Sequence, residues 1–188
     1  TQEGLYQHFK TIASATKLPC ILYNVPSRTV ISLATETVAR LSQVDNIVGI
    51  KEASGNLDQI AKIISSARPG FLVWSGNDGD VLPIMALGGY GVISVASHLV
   101  GLQLKQMMDD ILTGKIDKAA ATHRKLLPLI NALFIVANPI PVKYALNHVG
   151  FRVGKVRLPL TEPDDKTAAA IDAALKGQRI DLPLLTKT

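Results

Sequence analysis

Apolar positions along this chain follow two rhythms, short unbroken runs and helical stripes, and the two alternate through its first half. Leu5, Phe9 and Ile12 fall on one helical face that Thr1 can cap, and Leu18-Pro19 ends it. Residues 20–25 form an apolar run closed by Pro26-Ser27, the composition of a buried strand. Val38 and Leu41 mark a short helix before a second run at residues 46–56. Leu57, Ile60 and Ile64 mark a third helix, ended by Arg68-Pro69-Gly70, and residues 71–75 form the next strand, turned by Gly76-Asn77-Asp78-Gly79. A helix through Leu82 and Met85 and a glycine cluster then lead into a strand over residues 92–96. Four strands alternating with helices predict an α/β fold with a parallel sheet built from right-handed crossovers.

Beyond residue 100 the pattern is purely helical. Leu104, Met107, Met108 and Ile111 make one stripe; Leu126, Ile130 and Leu133 a second; Val142, Ala145, Leu146 and Val149 a third. Ile171 and Leu175 mark a fourth after Thr161-Glu162-Pro163, and all four stripes read as core. The expected division is an α/β part over residues 1–114 and a helical part over 115–188, with the tail from 177 onward fraying.

The run at 46–56 carries one anomaly. With a side-chain period of two, Ile47, Gly49 and Lys51 share one face of the strand, leaving Val48 and Ile50 on a face expected to be wholly apolar. A buried ammonium must find a carboxylate or yield its proton, and a neutral amine in an apolar pocket attacks carbonyl carbon to form a Schiff base. The plain alternative is a lysine at a strand end that reaches solvent.

Composition narrows the setting. The 188 residues are 47% hydrophobic, enough to bury a core. Cys20 is the single cysteine, read as a small core residue, so no disulfide framework is available and a reducing, cytoplasmic location is expected. The net charge of +5 comes from the C-terminal part, spread thinly with few aromatics, so a solvated helical face is expected rather than a nucleic-acid stripe. Residues 81–104 contain no Asp, Glu, Lys or Arg, but Pro83, Ser94 and three glycines break the run into helix, turn and strand, so no membrane span is predicted. The N-terminus carries no signal-peptide pattern. Thr1 stands where a methionine would, and a start within a longer protein is expected.

In parallel α/β folds the chemistry gathers at the C-terminal ends of the strands, here residues 23–29, 51–56, 76–80 and 94–98. Tyr23, in phase with Ile21 and Val25, is either a hydrogen-bonded core tyrosine or a phenol presented beside Lys51. Arg28 is either a surface arginine or a clamp for a carboxylate substrate. Gly88-Gly89-Tyr90-Gly91 follows a helix and opens a strand, the reverse of a dinucleotide fingerprint, and is read as a turn. Asn77, Asp78 and Asp80 lack the glutamate of a calcium loop and are read as a helix cap. His8, His98, His123 and His148 show no ligand spacing, so no metal is expected, and there is no Gly-x-Ser-x-Gly elbow.

Five segments together resemble the dihydrodipicolinate synthase family, pyruvate-dependent class I aldolases and lyases built on a TIM (β/α)8 barrel. They are Tyr23-Asn24-Val25-Pro26-Ser27-Arg28-Thr29, Gly49-Ile50-Lys51-Glu52-Ala53-Ser54-Gly55-Asn56, Ser75-Gly76-Asn77-Asp78, Gly91-Val92-Ile93-Ser94-Val95 and Asn138-Pro139-Ile140-Pro141-Val142-Lys143. The resemblance implies the C-terminal half of the barrel, four β-α units, followed by a helical region. It implies a Schiff base between Lys51 and pyruvate, with Tyr23 relaying protons and Arg28 receiving the carboxylate of aspartate semialdehyde. Gly76, Asn77 and the backbone carbonyl of Ile93 would line the substrate pocket. The product would be hydroxy-tetrahydrodipicolinate, on the way to diaminopimelate and lysine, and no external cofactor is implied. Arg28 favours this activity over the sialic acid lyases, which resemble the chain in lysine and tyrosine but usually carry an apolar residue there; keto-deoxy sugar acid aldolases are the nearer alternative. The full-length assembly implied is a homotetramer, a dimer of dimers. The first four strands, with the family's glycine-threonine loop, relay threonine and second tyrosine, have no counterpart here, so a non-catalytic half-barrel is a further alternative. Two open sheet edges would favour association.

Overall fold

A computed structural model describes residues 1–181. The chain forms two compact units, Thr1–Ile93 and a second beginning at Ser94. In the first, α1 (Gln2–Ser14), β1 (Cys20–Asn24), α2 (Pro26–Thr29), α3 (Thr35–Leu41), β2 (Ile47–Glu52), α4 (Leu57–Ser66), β3 (Leu72–Ser75), α5 (Val81–Ala86) and β4 (Gly91–Val92) follow one another, with a 3-10 turn at Asp78–Asp80. The strands pair in parallel in the order β1-β2-β3-β4, so every C-terminal strand end lies at one edge. This is the α/β parallel sheet that the alternating rhythm predicts.

The core sits between one face of the sheet and the helices. Leu22, Ile50 and Val73 are register neighbours on that face and pack with Val38, Leu41, Ile60 and Ile63. Each such aliphatic side chain, fully buried, contributes about 1.5–3 kcal/mol of transfer free energy. Thr1 caps α1 by accepting the Gly4 N–H, as its position predicts. Ile12, however, is 48% exposed, and Ala13 takes the buried place, because α1 packs along Leu5, Phe9 and Ala13 at intervals of four. On α4 the buried pair is Ile60 and Ile63, and Leu57 faces outward.

Three further expectations are corrected. Ile47 joins the helix-side core rather than the face of Lys51, since the β1–β2 register slips between Cys20 and Ile21 and breaks the alternation there. The face of Val48 and Ile50 is not wholly apolar, for Glu52 lies on it and is completely buried. The strand expected over 92–96 pairs only at Gly91–Val92, and beyond it Ser94 Oγ accepts the Ser97 N–H at 2.8 Å and turns the chain toward a helix.

The second unit holds α6 (Ser97–Leu112), α7 (Ile116–Ala132), α8 (Ile140–His148) and α9 (Asp165–Lys176). Leu104 and Met107 of α6 and Leu126, Leu129 and Ile130 of α7 are buried, and α6 packs on α7 and α8. The expected boundary at 114/115 therefore falls too late: α6 shares its core with the later helices, and the units divide after Ile93. Val100 interrupts α6 with φ −131° and ψ 35°, which frees N–H groups of the turn that follows. Asp181 meets them. Its carboxylate accepts from Leu102 N–H at 2.9 Å and Gln103 N–H at 3.2 Å, while its own N–H donates to Leu99 O. The tail is thus tied down as far as Asp181, contrary to the expected fraying; residues 182–188 of that expectation lie outside the described residues. No helix among the described residues is long and apolar enough to cross a membrane.

Candidate active site

Lys51 stands one residue before the end of β2, in register with Tyr23 of β1 on one side and Trp74 of β3 on the other, with Gly91 of β4 beside Trp74. This row lies on the face of the sheet away from the helices. Lys51 is half-buried, and its Nζ lies 4.4 Å from the centroid of the Tyr23 ring. The aromatic face stabilises the ammonium by about 0.5–1 kcal/mol at such a partly open position. Among the described residues no carboxylate pairs with Lys51. Tyr23 is 44% exposed, so it is no core tyrosine.

Glycines make the room that this arrangement needs. A Cβ on Gly76 would lie 3.2 Å from Lys51 Cε and 2.7 Å from Ala53 Cβ, and the Gly76 N–H is held by Glu52 O at 2.7 Å. Gly76 therefore lies directly against the lysine side chain. A Cβ on Gly49 would run into the Trp74 ring and the Leu72 carbonyl, so the indole packs against the bare backbone of Gly49, two residues before Lys51 on β2. Trp74 also meets Tyr90 edge-on at 5.5 Å.

Arg28 lies on α2, exposed, and among the described residues its guanidinium has no hydrogen-bond or ionic partner. Ile93 follows β4 in phase with Gly91, 38% exposed, with its N–H donating to Ser75 O at 2.9 Å. Asn77 is otherwise engaged: its Nδ2 donates to Asp80 Oδ2 at 2.9 Å and its N–H to Ser75 Oγ at 3.2 Å. Of the three residues expected to cap a helix, neither Asn77 nor Asp80 makes a side-chain cap, and these two join each other by this amide-to-carboxylate bond. The first unit thus brings Lys51, Tyr23 and Gly76 into contact and sets Arg28 and Ile93 on neighbouring strand ends; residues 94–98 belong to the second unit. Among the described residues no three acidic, histidine or cysteine side chains could hold a metal.

Sequence reasoning missed Trp74 and the buried partnership of Asn24 with Glu52. Both were in reach of the period-two pattern: Trp74 is in phase with Leu72 on the lysine's face, and Glu52 with Ile50 on the face expected to be apolar.

The family model described as the dihydrodipicolinate synthetase family matches residues 1–178. The chain belongs to this family. A 4-hydroxy-tetrahydrodipicolinate synthase from Dehalococcoides mccartyi is 66% identical over 184 residues, 98% of this chain and 62% of that relative. One from Listeria innocua is 51% identical over 94% of the chain and 60% of its own length. Among solved structures, the dihydrodipicolinate synthase of Thermotoga maritima superposes with a TM-score of 0.91 at 45% identity, covering 94% of this chain and 61% of that one. The Acinetobacter baumannii enzyme, solved in complex with pyruvate, gives 0.90 at 39% identity over 94% and 61%. The chain spans about three-fifths of the length of the curated relatives it matches.

Proposed function

We propose that this chain carries the imine-forming centre of a 4-hydroxy-tetrahydrodipicolinate synthase, with pyruvate bound covalently through Lys51. The observation that carries the reading is a lysine on a central parallel strand, seated over a tyrosine ring, with a glycine making room for its side chain. The relatives named for this activity support it, as does the pyruvate complex of the Acinetobacter enzyme.

In this reading the Lys51 amine adds to the keto carbon of pyruvate and water leaves, giving an imine. Its protonated form draws electrons from the neighbouring methyl group, which loses a proton and becomes the nucleophilic carbon of an enamine. That carbon bonds to the aldehyde carbon of aspartate semialdehyde. Attack of the semialdehyde's own amine on the imine carbon then closes the ring and releases Lys51. The imine is itself the electron sink, so the step calls for no external cofactor. Tyr23 moves protons at the imine, Arg28 receives the semialdehyde carboxylate, and Gly76, Asn77 and the Ile93 carbonyl line the pyruvate end. The uncommitted guanidinium of Arg28 supports its part, since a free bidentate donor suits a carboxylate. Asn77 is the weakest member, its amide being engaged with Asp80.

The four strands belong, in the same proposal, to a (β/α)8 barrel, with the uncovered face of the sheet turned inward. Ile21, Tyr23 and Ile93 are 45%, 44% and 38% exposed on that face, and interior side chains of a barrel laid open would look like this. Assignment to the C-terminal half rests on the motif resemblance, and it is tested by supplying the remaining length at either end. A cytoplasmic homotetramer belongs to the same reading of the complete protein. The activity is tested by pyruvate-dependent consumption of aspartate semialdehyde in the completed protein. Turnover lost in Lys51→Ala supports the reading; turnover of N-acetylmannosamine instead would move the chain to the sialic acid lyases.

A further inference from the structure

Two polar side chains on the helix-facing side of the sheet have no part in the chemistry above. Glu52 is 0% exposed and Asn24 2%, and they are register partners at the ends of β2 and β1. A carboxylate enclosed in this way destabilises the fold unless its oxygens are met. Asn24 Nδ2 donates to both of them, at 3.2 and 3.0 Å, and the Ser54 N–H donates to Oε1 at 2.7 Å. The other end of the same amide, Asn24 Oδ1, accepts the Leu33 N–H at 3.0 Å. Leu33 is held from its second side as well, its carbonyl accepting Gln59 Nε2 at 2.7 Å. The chain of bonds runs in one sense only, because turning the Asn24 amide over would set its NH2 against the Leu33 N–H.

The segment between these two anchors is the arch that carries Arg28. Its first foot is β1, which bears Tyr23; its second is Leu33, buried in the core. The crown is α2, closed by Val30 at φ 66°, a left-handed conformation that β-branched residues rarely adopt. A crown so exposed and strained depends on its feet for its position. We propose that the Asn24–Glu52 pair is a positioning device that pins the Arg28 arch to the strand bearing Lys51. Glu52 follows Lys51 in the chain but lies on the opposite face, so it acts through the arch and not on substrate. The inference rests on the Schiff-base reading, in which Lys51 reacts and Arg28 recognises the second substrate.

The donor–acceptor sense of the pair supplies the test. Asn24→Asp keeps an acceptor for Leu33 but sets two carboxylates together, and Glu52→Gln sets an amide NH2 against another. The double variant exchanges the roles: the amide now at position 52 would donate to the carboxylate now at position 24 and still accept the Ser54 N–H. Trypsin cleavage after Arg28 reads release of the arch, with cleavage after Lys62 on α4 as the internal standard, and hydride trapping of pyruvate reads Lys51 in the same samples. Asn24→Asp is expected to raise the Arg28-to-Lys62 cleavage ratio about tenfold, Glu52→Gln to raise it less, and the double variant to return it to within about twofold of the unaltered chain. In the completed protein, Asn24→Asp is expected to raise KM for aspartate semialdehyde about tenfold, with KM for pyruvate unchanged. A ratio unmoved by Asn24→Asp, a double variant cleaved as readily as Asn24→Asp, or equal rises in both KM values would overturn the proposal. Failure of the unaltered, completed protein to trap pyruvate would count against the Schiff-base reading instead, and the cleavage ratio judges the pair separately.

Discussion

At the scale of single residues, Lys51 is defined by what its neighbours lack. Gly76 has no Cβ where one would crowd Lys51 Cε and Ala53 Cβ. Gly76→Ala is therefore expected to cost about 1–3 kcal/mol of stability and to slow imine formation by roughly tenfold or more, read by denaturant midpoint and by the rate of pyruvate trapping. Tyr23 offers two separable functions, a ring beneath the ammonium and a hydroxyl for proton transfer. Tyr23→Phe keeps the first, so pyruvate trapping on Lys51 is expected to survive while turnover in the completed protein falls by about 10²–10⁴. Survival of full turnover would remove the phenol from the mechanism. The position of Lys51 was legible from period-two alternation, and so was its face. Tyr23 beside it was legible only as one of two alternatives, because register between strands leaves no mark in a single sequence; the contact of the Lys51 ammonium with the Tyr23 ring was not.

At the scale of elements, the rhythm of runs and stripes located the four strands and the longer helices between and after them, because each of these buries one face; it did not show α2, which buries no residue. It failed where local hydrogen bonding outweighs apolar content. Ser94 stops β4 after two residues by capping the next turn, though the sequence stays apolar through Ala96. The break in α6 at Val100 and its remedy, Asp181, were equally hidden, since they join residues about eighty positions apart. Asp181→Ala is expected to destabilise the helical unit by about 1 kcal/mol and to speed amide exchange at Leu102 and Gln103; unchanged exchange there would show that another acceptor serves. On α2, Arg28→Ala is expected to raise KM for aspartate semialdehyde and leave pyruvate trapping on Lys51 intact. Loss of trapping would instead mean that Arg28 serves the first substrate.

At the scale of the whole molecule, the sheet has helices on one face and the row of Tyr23, Lys51 and Trp74 on the other. A parallel sheet is ordinarily covered on both faces, so the remaining two-fifths of the relatives' length is the expected cover. Trp74 is the only tryptophan in the chain. In the barrel proposed above, supplying a segment of that length should therefore shift its fluorescence to the blue, and an unshifted spectrum would argue against closure over this face. The measurement that bears most directly on the central claim is hydride reduction with pyruvate, followed by peptide mapping, on the chain completed with that segment. The account predicts a reduced pyruvate adduct on Lys51 and none in Lys51→Ala. An adduct on another lysine, or no adduct at all, would contradict it.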